Sequence, residues 1–346
     1  MPVRIASALV SALTAALLPA AAAPAAEALP QNMQAAAIDA AGDAHALTLH
    51  QLPVPHPGPA EVLIAIHTAG VASWDVELRR HPQQIKNGRF PLVLGTDGAG
   101  TVAAVGATVH SFKVGDQVYS YSWDNPQGGF YAEYVAVPAA RVGHVPRGLT
   151  LTQAGAIGTT ALTAIQGVDD ALHLKSGQTL LIHGAAGGVG TLAIQFAKLR
   201  GARVLASVSG EDEIALVKRL GADAAVDGRH GDIAAAAHAF APAGVDAVLA
   251  LAGGEALEHA IDTLRKGGRV AYPEGVNPIP KSRDGLTPIK YNAIPGPTEF
   301  RRLNAAIESM KLEVPIAAQF PLAEAAAAQE RLEAGHVPGK VILQVR

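Results

Sequence analysis

The chain has 346 residues, enough for two domains of ordinary size, and contains no cysteine. The missing thiols exclude disulfides, thiolate-ligated zinc, iron–sulfur clusters and a cysteine nucleophile. Lys and Arg number 27 against 30 Asp and Glu, a net charge of −3 without basic clusters, so no nucleic acid is expected as a partner.

Residues 1–25 read as a separate unit. Arg4 precedes an apolar run from Ile5 to Leu18, and a small-residue tract containing Ala23-Pro24-Ala25 follows. Basic, then apolar, then small is the order of a signal peptide, which predicts export to the periplasm. The run is shorter than the roughly 20 residues a bilayer requires, so no membrane span is expected in the mature chain. A cytoplasmic location with the leader unused is the alternative.

From Met33 to about Val145, short runs rich in Val, Ile and Tyr alternate with Gly and Pro: Glu61–Ile66, Thr101–Val105, Gln117–Tyr121 and Tyr131–Val137. This texture predicts a β-rich domain. From about Leu151 strand-like runs (Thr179–His183, Arg203–Ser207, Ala247–Leu251, Arg269–Tyr272) alternate with helical segments at Thr191–Leu199, Asp212–Leu220 and Ala256–Leu264. Such alternation predicts an α/β fold with a doubly wound parallel sheet. A Pro-rich tract, 273–297, reads as irregular. Helices near Thr298–Lys311 and Ala323–Ala334 and a strand at Lys340–Val345 close the chain.

The strongest chemical signal is the turn between Thr179–His183 and the next helix, which runs Gly184-Ala185-Ala186-Gly187-Gly188-Val189-Gly190. Residues without side chains at a helix start let a pyrophosphate reach free backbone N–H groups, and the helix dipole favours the anion. Gly184, Ala186, Gly187, Gly188, Val189 and Gly190 are therefore candidate dinucleotide-binding residues. No Lys-Ser/Thr follows Gly190, so this is not a mononucleotide P-loop. At the tip of the second strand, Ser207 and Ser209 stand where an NAD site usually places an acid, which favours NADP(H) over NAD(H). The acids Glu211, Asp212 and Glu213 follow immediately; they oppose a 2′-phosphate or simply suit a helix N-terminus.

Several mechanisms are excluded by pattern. None of the six tyrosines has Lys four residues on, which removes the Tyr-x-x-x-Lys dehydrogenase mechanism. Gly95-Thr96-Asp97 has no imidazole where a zinc dehydrogenase would have one, and no His-Glu-x-x-His or Gly-x-Ser-x-Gly occurs. No metal site is expected.

The runs Phe90-Pro91 to Val102, Phe112-Lys113-Val114-Gly115-Asp116, Gly129-Phe130-Tyr131-Ala132-Glu133-Tyr134, Ile182–Gly190, Leu220-Gly221-Ala222-Asp223, Gly267-Gly268-Arg269 and Gly339-Lys340-Val341-Ile342-Leu343 together resemble the zinc-independent quinone oxidoreductase branch of the medium-chain dehydrogenase/reductase superfamily. The resemblance covers residues 33–346. It implies a GroES-like domain from 33–155 and 298–346, with a Rossmann domain, 156–297, inserted. It also implies hydride transfer from NADPH to a quinone or an α,β-unsaturated carbonyl, and a homodimer. Thr163 matches the family's threonine beside the nicotinamide, with a helix-internal hydrogen bond as the other reading. Gly70-Val71-Ala72-Ser73-Trp74-Asp75 stands where the family has Gly-Val-Asn-Pro-x-Asp, so Ala72 lacks the expected amide. Trp74 either stacks on an aromatic acceptor or fills a core; Asp75 either relays a proton or caps a helix. Tyr291 is a candidate donor to the acceptor carbonyl or a packing residue, and Lys340 reads as an exposed lysine in a strand turn, with an approach to the cofactor from the last strand as the other reading. The alternative to a reductase is an NADP(H)-binding redox sensor or structural protein with little catalysis.

Overall fold

The structure is a computed structural model that describes residues 1, 29–86, 88–125 and 127–346. Apart from Met1, the leader 1–25 lies outside the described residues. Among those residues no helix is long and apolar enough to cross a membrane.

The second half of the chain builds a six-stranded, all-parallel sheet. Its spatial order is Ala224–Asp227, Arg203–Val208, Thr179–His183, Val245–Ala250, Leu264–Pro273 and Ile289–Tyr291. Counted along the chain this is third, second, first, fourth, fifth, sixth, the doubly wound Rossmann order. The order reverses between Thr179–His183 and Val245–Ala250, and a crevice opens at the carboxyl ends of those two strands. Every residue of Thr179–His183 is buried, as a strand covered by helices on both faces must be.

Two sheet strands fall where the sequence carries little signal. Ala224–Asp227 has four residues, all half-buried, and Ile289–Tyr291 has three, inside the Pro-rich tract read as irregular. Both lie at sheet edges, where one neighbour and partial burial leave no alternation to read. The helix Ile233–Phe240 was likewise absent from the sequence reading; it is alanine-rich, and Asp232 caps it through a bond from the Ala235 N–H at 2.9 Å.

The β-rich half forms a seven-stranded sheet. Ile316–Pro321, Lys340–Gln344, Glu61–Val71, Asp97–Val105, Gln117–Tyr121 and Val142–His144 lie in that order, and Tyr134–Pro138 also pairs with Glu61–Val71. The last strand runs antiparallel to Glu61–Val71, with Ile342 opposite Gly70 and Val341 opposite Val71. The end of the chain therefore completes a sheet begun in its first third. Aliphatic side chains fill the cores, as the low aromatic content requires. One core joins Phe196, Leu162 and Ile165 to Phe300, Leu303 and Ile307 of the helix Pro297–Glu308. A second lies within the β-rich half around Leu63, Ile64 and Phe130.

The segment entering the last strand ties the two sheets together. The Gly339 N–H donates to the Ala186 carbonyl at 2.8 Å, and Gly187 and Gly339 form a parallel bridge. Lys340 is thereby delivered to the start of the helix Gly188–Leu199.

Candidate functional site

The glycine-rich turn lies at the crevice. Gly184 has φ +79°, a conformation that disfavours side chains, and the N–H groups of Gly184 and Ala185 both donate to the Ser207 carbonyl at 3.1 Å. A Cβ on Gly190 would lie 2.5 Å from the Ala185 carbonyl oxygen, so only glycine lets this helix sit so close to its strand. Gly187 differs: a Cβ there would meet nothing nearer than the Gly184 carbonyl oxygen at 3.8 Å. It caps the helix without a side chain, and the first helical N–H groups, from Gly188, Val189 and Gly190, have no intrahelical carbonyl to bond. The turn thus presents donors and positive dipole to a cleft of about 370 Å³, into which Gly184, Ala186 and Gly187 face. The residues fit a dinucleotide pyrophosphate.

Ser207, Ser209 and Glu213 line the same cleft from the second strand and the following helix. Ser207 is buried, and its hydroxyl lies 3.2 Å from Nδ1 of His183. Burial lowers His183 to about 4, so its imidazole is neutral. Glu213 is more than an acid suited to a helix dipole. It is buried, accepts from the Ser209 N–H at 2.7 Å and lies 3.0 Å from Nδ1 of His336. Nε2 of His336 is 2.9 Å from Asp212, and this contact holds the Asp212 carboxyl below its ordinary value. His336 comes from the loop before the last strand, so no local pattern announced it.

The remaining candidates fall into two groups, neither of which lines the cleft at the turn. Thr163 and Tyr291 belong to the first. Thr163 Oγ1 donates to the Thr159 carbonyl at 2.9 Å, the helix-internal bond, and the Tyr291 hydroxyl donates to the Thr163 carbonyl at 3.1 Å. The missing Cβ of Gly167 makes room for that hydroxyl. Burial pushes the Tyr291 phenol well above its ordinary value, so it stays protonated.

Trp74 and Asp75 belong to the second group, on the helix Ser73–Arg80. Trp74 is half-buried, and its indole N–H donates to Thr96 Oγ1 at 2.6 Å. Asp75 is fully buried; one carboxyl oxygen accepts from the Ala72 N–H at 2.9 Å and from the Tyr131 hydroxyl at 3.1 Å. It therefore caps its helix. Burial nevertheless raises it to about 7, against the pull of the Lys340 charge.

Lys340, expected to be exposed, is buried, with 5% of its surface accessible. Its Nζ lies 5.2 Å from the centroid of the Trp74 ring and 4.0 Å from Oδ1 of Asp97. Asp97 is also buried, and its other oxygen accepts from the Thr159 N–H at 2.8 Å, at the start of the helix Gly158–Gln166. The reading from sequence missed this pair. Its one local trace is a buried acid that opens the largely apolar Asp97–Val105 strand.

Fold and site together define a nicotinamide-dependent type of oxidoreductase architecture, and comparison with known proteins agrees. The family "Alcohol dehydrogenase GroES-like domain" matches residues 58–147, and "Zinc-binding dehydrogenase" matches 220–343. A quinone oxidoreductase of Sus scrofa is 33% identical over 302 residues, covering 84% of this chain and 91% of that protein. The mitochondrial NAD(P)H oxidoreductase RTN4IP1 of Bos taurus is 31% identical over 329 residues, covering 83% and 82%. A mycocerosic acid synthase-like polyketide synthase of Mycobacterium tuberculosis is 33% identical over 305 residues, 84% of this chain but 14% of that longer protein. Among solved structures, the quinone oxidoreductase of Coxiella burnetii superposes with a TM-score of 0.81 at 30% identity, covering 91% of this chain and 100% of that one. Mycobacterial Rv1454c complexed with NADPH gives 0.79 at 29%, covering 90% and 100%. The chain belongs to the zinc-independent quinone oxidoreductase branch of the medium-chain dehydrogenase/reductase superfamily.

One family description implies zinc. The residues do not fit it: the chain has no cysteine, and among the described residues no group of three or more His, Asp or Glu side chains is arranged to hold a metal ion. The carboxylate of Asp97 faces the ammonium of Lys340 instead.

Proposed function

We propose that this protein transfers hydride from NADPH to a small quinone or α,β-unsaturated carbonyl, without zinc and as a homodimer. The observation that carries the reading is the open turn at Gly187, with Lys340 passing beside Gly188 to the Trp74 ring. In this reading residues 156–297 hold the cofactor, and 33–155 with 298–346 supply the acceptor side. Bound there, the cofactor supplies a hydride. The backbone N–H groups at Gly188 to Gly190 bind its pyrophosphate, and Thr163 and Tyr291 shape the wall beside the nicotinamide. Ser209 and the His336 imidazole stand at the adenosine end and favour a 2′-phosphate when His336 is charged, although Glu213 competes for that imidazole. The relatives' names, quinone oxidoreductase and NAD(P)H oxidoreductase, and the NADPH complex of Rv1454c support the same assignment.

Purified full-length protein mixed with NADPH and an ortho- or para-quinone should lose absorbance from the reduced cofactor, faster than with NADH. A second reading, a cofactor-binding sensor, is favoured by Ala72 and by hydroxyls of Thr163 and Tyr291 that are spent on backbone carbonyls. Tight NADPH binding without turnover on any quinone or enone would establish the sensor and refute the reductase.

A further inference from the structure

Three buried polar atoms lack hydrogen-bond partners in one charged cluster: Nζ of Lys340, Oδ1 of Asp97 and Oδ1 of Asp75; the first two lie 4.0 Å apart, and the charges of both residues act on Asp75. An ammonium has three N–H donors, and leaving them unused in the interior costs several kcal/mol per ion before any Coulomb attraction is counted. The 4.0 Å approach to Asp97 and the Trp74 ring face offset only part of that. The space is also built for it. A Cβ on Gly70 would lie 2.4 Å from Asp97 Oδ1 and 2.9 Å from Lys340 Cε, so glycine there is what admits the pair.

The direction of the side chain is informative. Its stem passes the glycine-rich turn, with Lys340 Cδ 3.6 Å from where a Cβ on Gly188 would be. Its head points away from the turn, toward Asp97 and the Trp74 ring. The ammonium therefore sits between the cofactor turn and the Trp74 ring. No hydrogen bond anchors it, so its N–H donors are uncommitted and free for a ligand oxygen.

We propose that Lys340 donates its proton to the carbonyl oxygen of the acceptor, held in position by Asp97 and recharged from Asp75. This rests on the hydride-transfer reading above. As the acceptor takes up a hydride and is reduced by two electrons, its carbonyl oxygen gains an electron pair. Lys340 loses one N–H bond and an O–H bond forms, giving a hydroquinone or an enol. The neutral amine then takes the proton of the Asp75 carboxyl, and Asp75 regains one from solvent. One ammonium between two carboxyl groups is neutral overall when Asp75 is protonated, which keeps the buried cluster from carrying net charge.

The test uses Lys340→Met, which keeps the stem and removes the charge, and reads two things. With NADP+ present, 4-nitrophenol bound in the site mimics the phenolic product. In the wild-type protein its absorbance should show ionisation at a pH lower by about one unit than in free solution, because the ammonium stabilises the oxyanion, and the variant should lose that shift. In turnover with NADPH and a quinone, the variant should lose about a hundredfold in kcat, keep NADPH affinity within about twofold because the stem still lies against the turn, and lose the solvent deuterium isotope effect of the wild type. If Lys340→Met fails to fold, the double variant Lys340→Met, Asp97→Asn removes both charges at similar volume and is read the same way. A wild-type protein without the nitrophenol shift, or a folded variant that keeps wild-type kcat, overturns the proposal. A shift that appears in the wild type and vanishes in the variant, without quinone turnover in either, upholds Lys340 as the oxyanion-binding group and refutes the acceptor class instead.

Discussion

Gly187→Ala separates folding from cofactor binding at the glycine-rich turn. Gly187 has φ −72° and ψ 174°, which alanine adopts freely. The added methyl would meet only the Gly184 carbonyl oxygen, at an ordinary 3.8 Å. Without cofactor the variant should stay within about 1 kcal/mol of the wild type, because the lost freedom of the unfolded chain, about 0.4–1 kcal/mol, is offset by the poorer N-capping of alanine. The same methyl stands in the space that a pyrophosphate needs to reach the N–H groups behind it. Forcing an extra methyl into a filled contact costs about 1–3 kcal/mol, so NADPH affinity should fall by about ten- to a hundredfold. Gly190→Ala is the contrast. Its methyl would lie 2.5–2.6 Å from three backbone atoms of Ala185, so the helix must move and stability itself should fall by about 1–3 kcal/mol. Urea denaturation without cofactor and fluorescence titration with NADPH read the two effects. Wild-type NADPH affinity in a folded Gly187→Ala protein would refute the placement of the cofactor at this turn.

The buried carboxyl of Asp75 should make stability fall as pH rises. It titrates at about 7 in the folded protein and near 3.9 when unfolded, so between those values the native state keeps a proton that the unfolded state loses. That contribution is complete below about pH 4 and is lost by about pH 7, a change on the order of 4 kcal/mol. Asp75→Asn keeps an oxygen for the Ala72 and Tyr131 bonds and removes the titration. The stability difference between wild type and variant should therefore decline across this window, and a flat difference refutes the burial argument. Arg79, with 1% of its surface accessible, bonds the Gly42 carbonyl, Gln329 and Glu333 and holds the Trp74 helix against the helix Ala325–Glu333. Arg79→Met should cost about 3–5 kcal/mol by stranding its partners, read by urea denaturation; a loss below about 1 kcal/mol would show the network to be dispensable.

What could be read from the chain alone follows the range of the interactions. The turn 184–190 was legible because strand, glycines and helix start are contiguous, and the requirement that Gly190 lack a Cβ is local. The two textures, β-rich before about Leu151 and alternating after it, were legible because helix and strand periods are written within a dozen residues. The edge strands Ala224–Asp227 and Ile289–Tyr291 were not, since strands of four and three residues without a buried face carry no period.

The acceptor side divides the same way. Trp74 and Asp75 stood out by their place in a motif, and helix capping by Asp75 follows from its position near the start of the helix. Its raised pKa does not, because burial by distant segments sets it. Lys340 reads as an ordinary strand lysine until the last strand is placed beside Glu61–Val71, which brings it under Trp74 and against Asp97. His336 reaches Asp212 and Glu213 for the same reason. By itself the sequence determined the doubly wound half, the cofactor turn and the absence of thiol chemistry, all properties of neighbouring residues or of composition. Only the tertiary structure decided which charges are buried together, because desolvation and pairing depend on chain segments that sequence order keeps far apart.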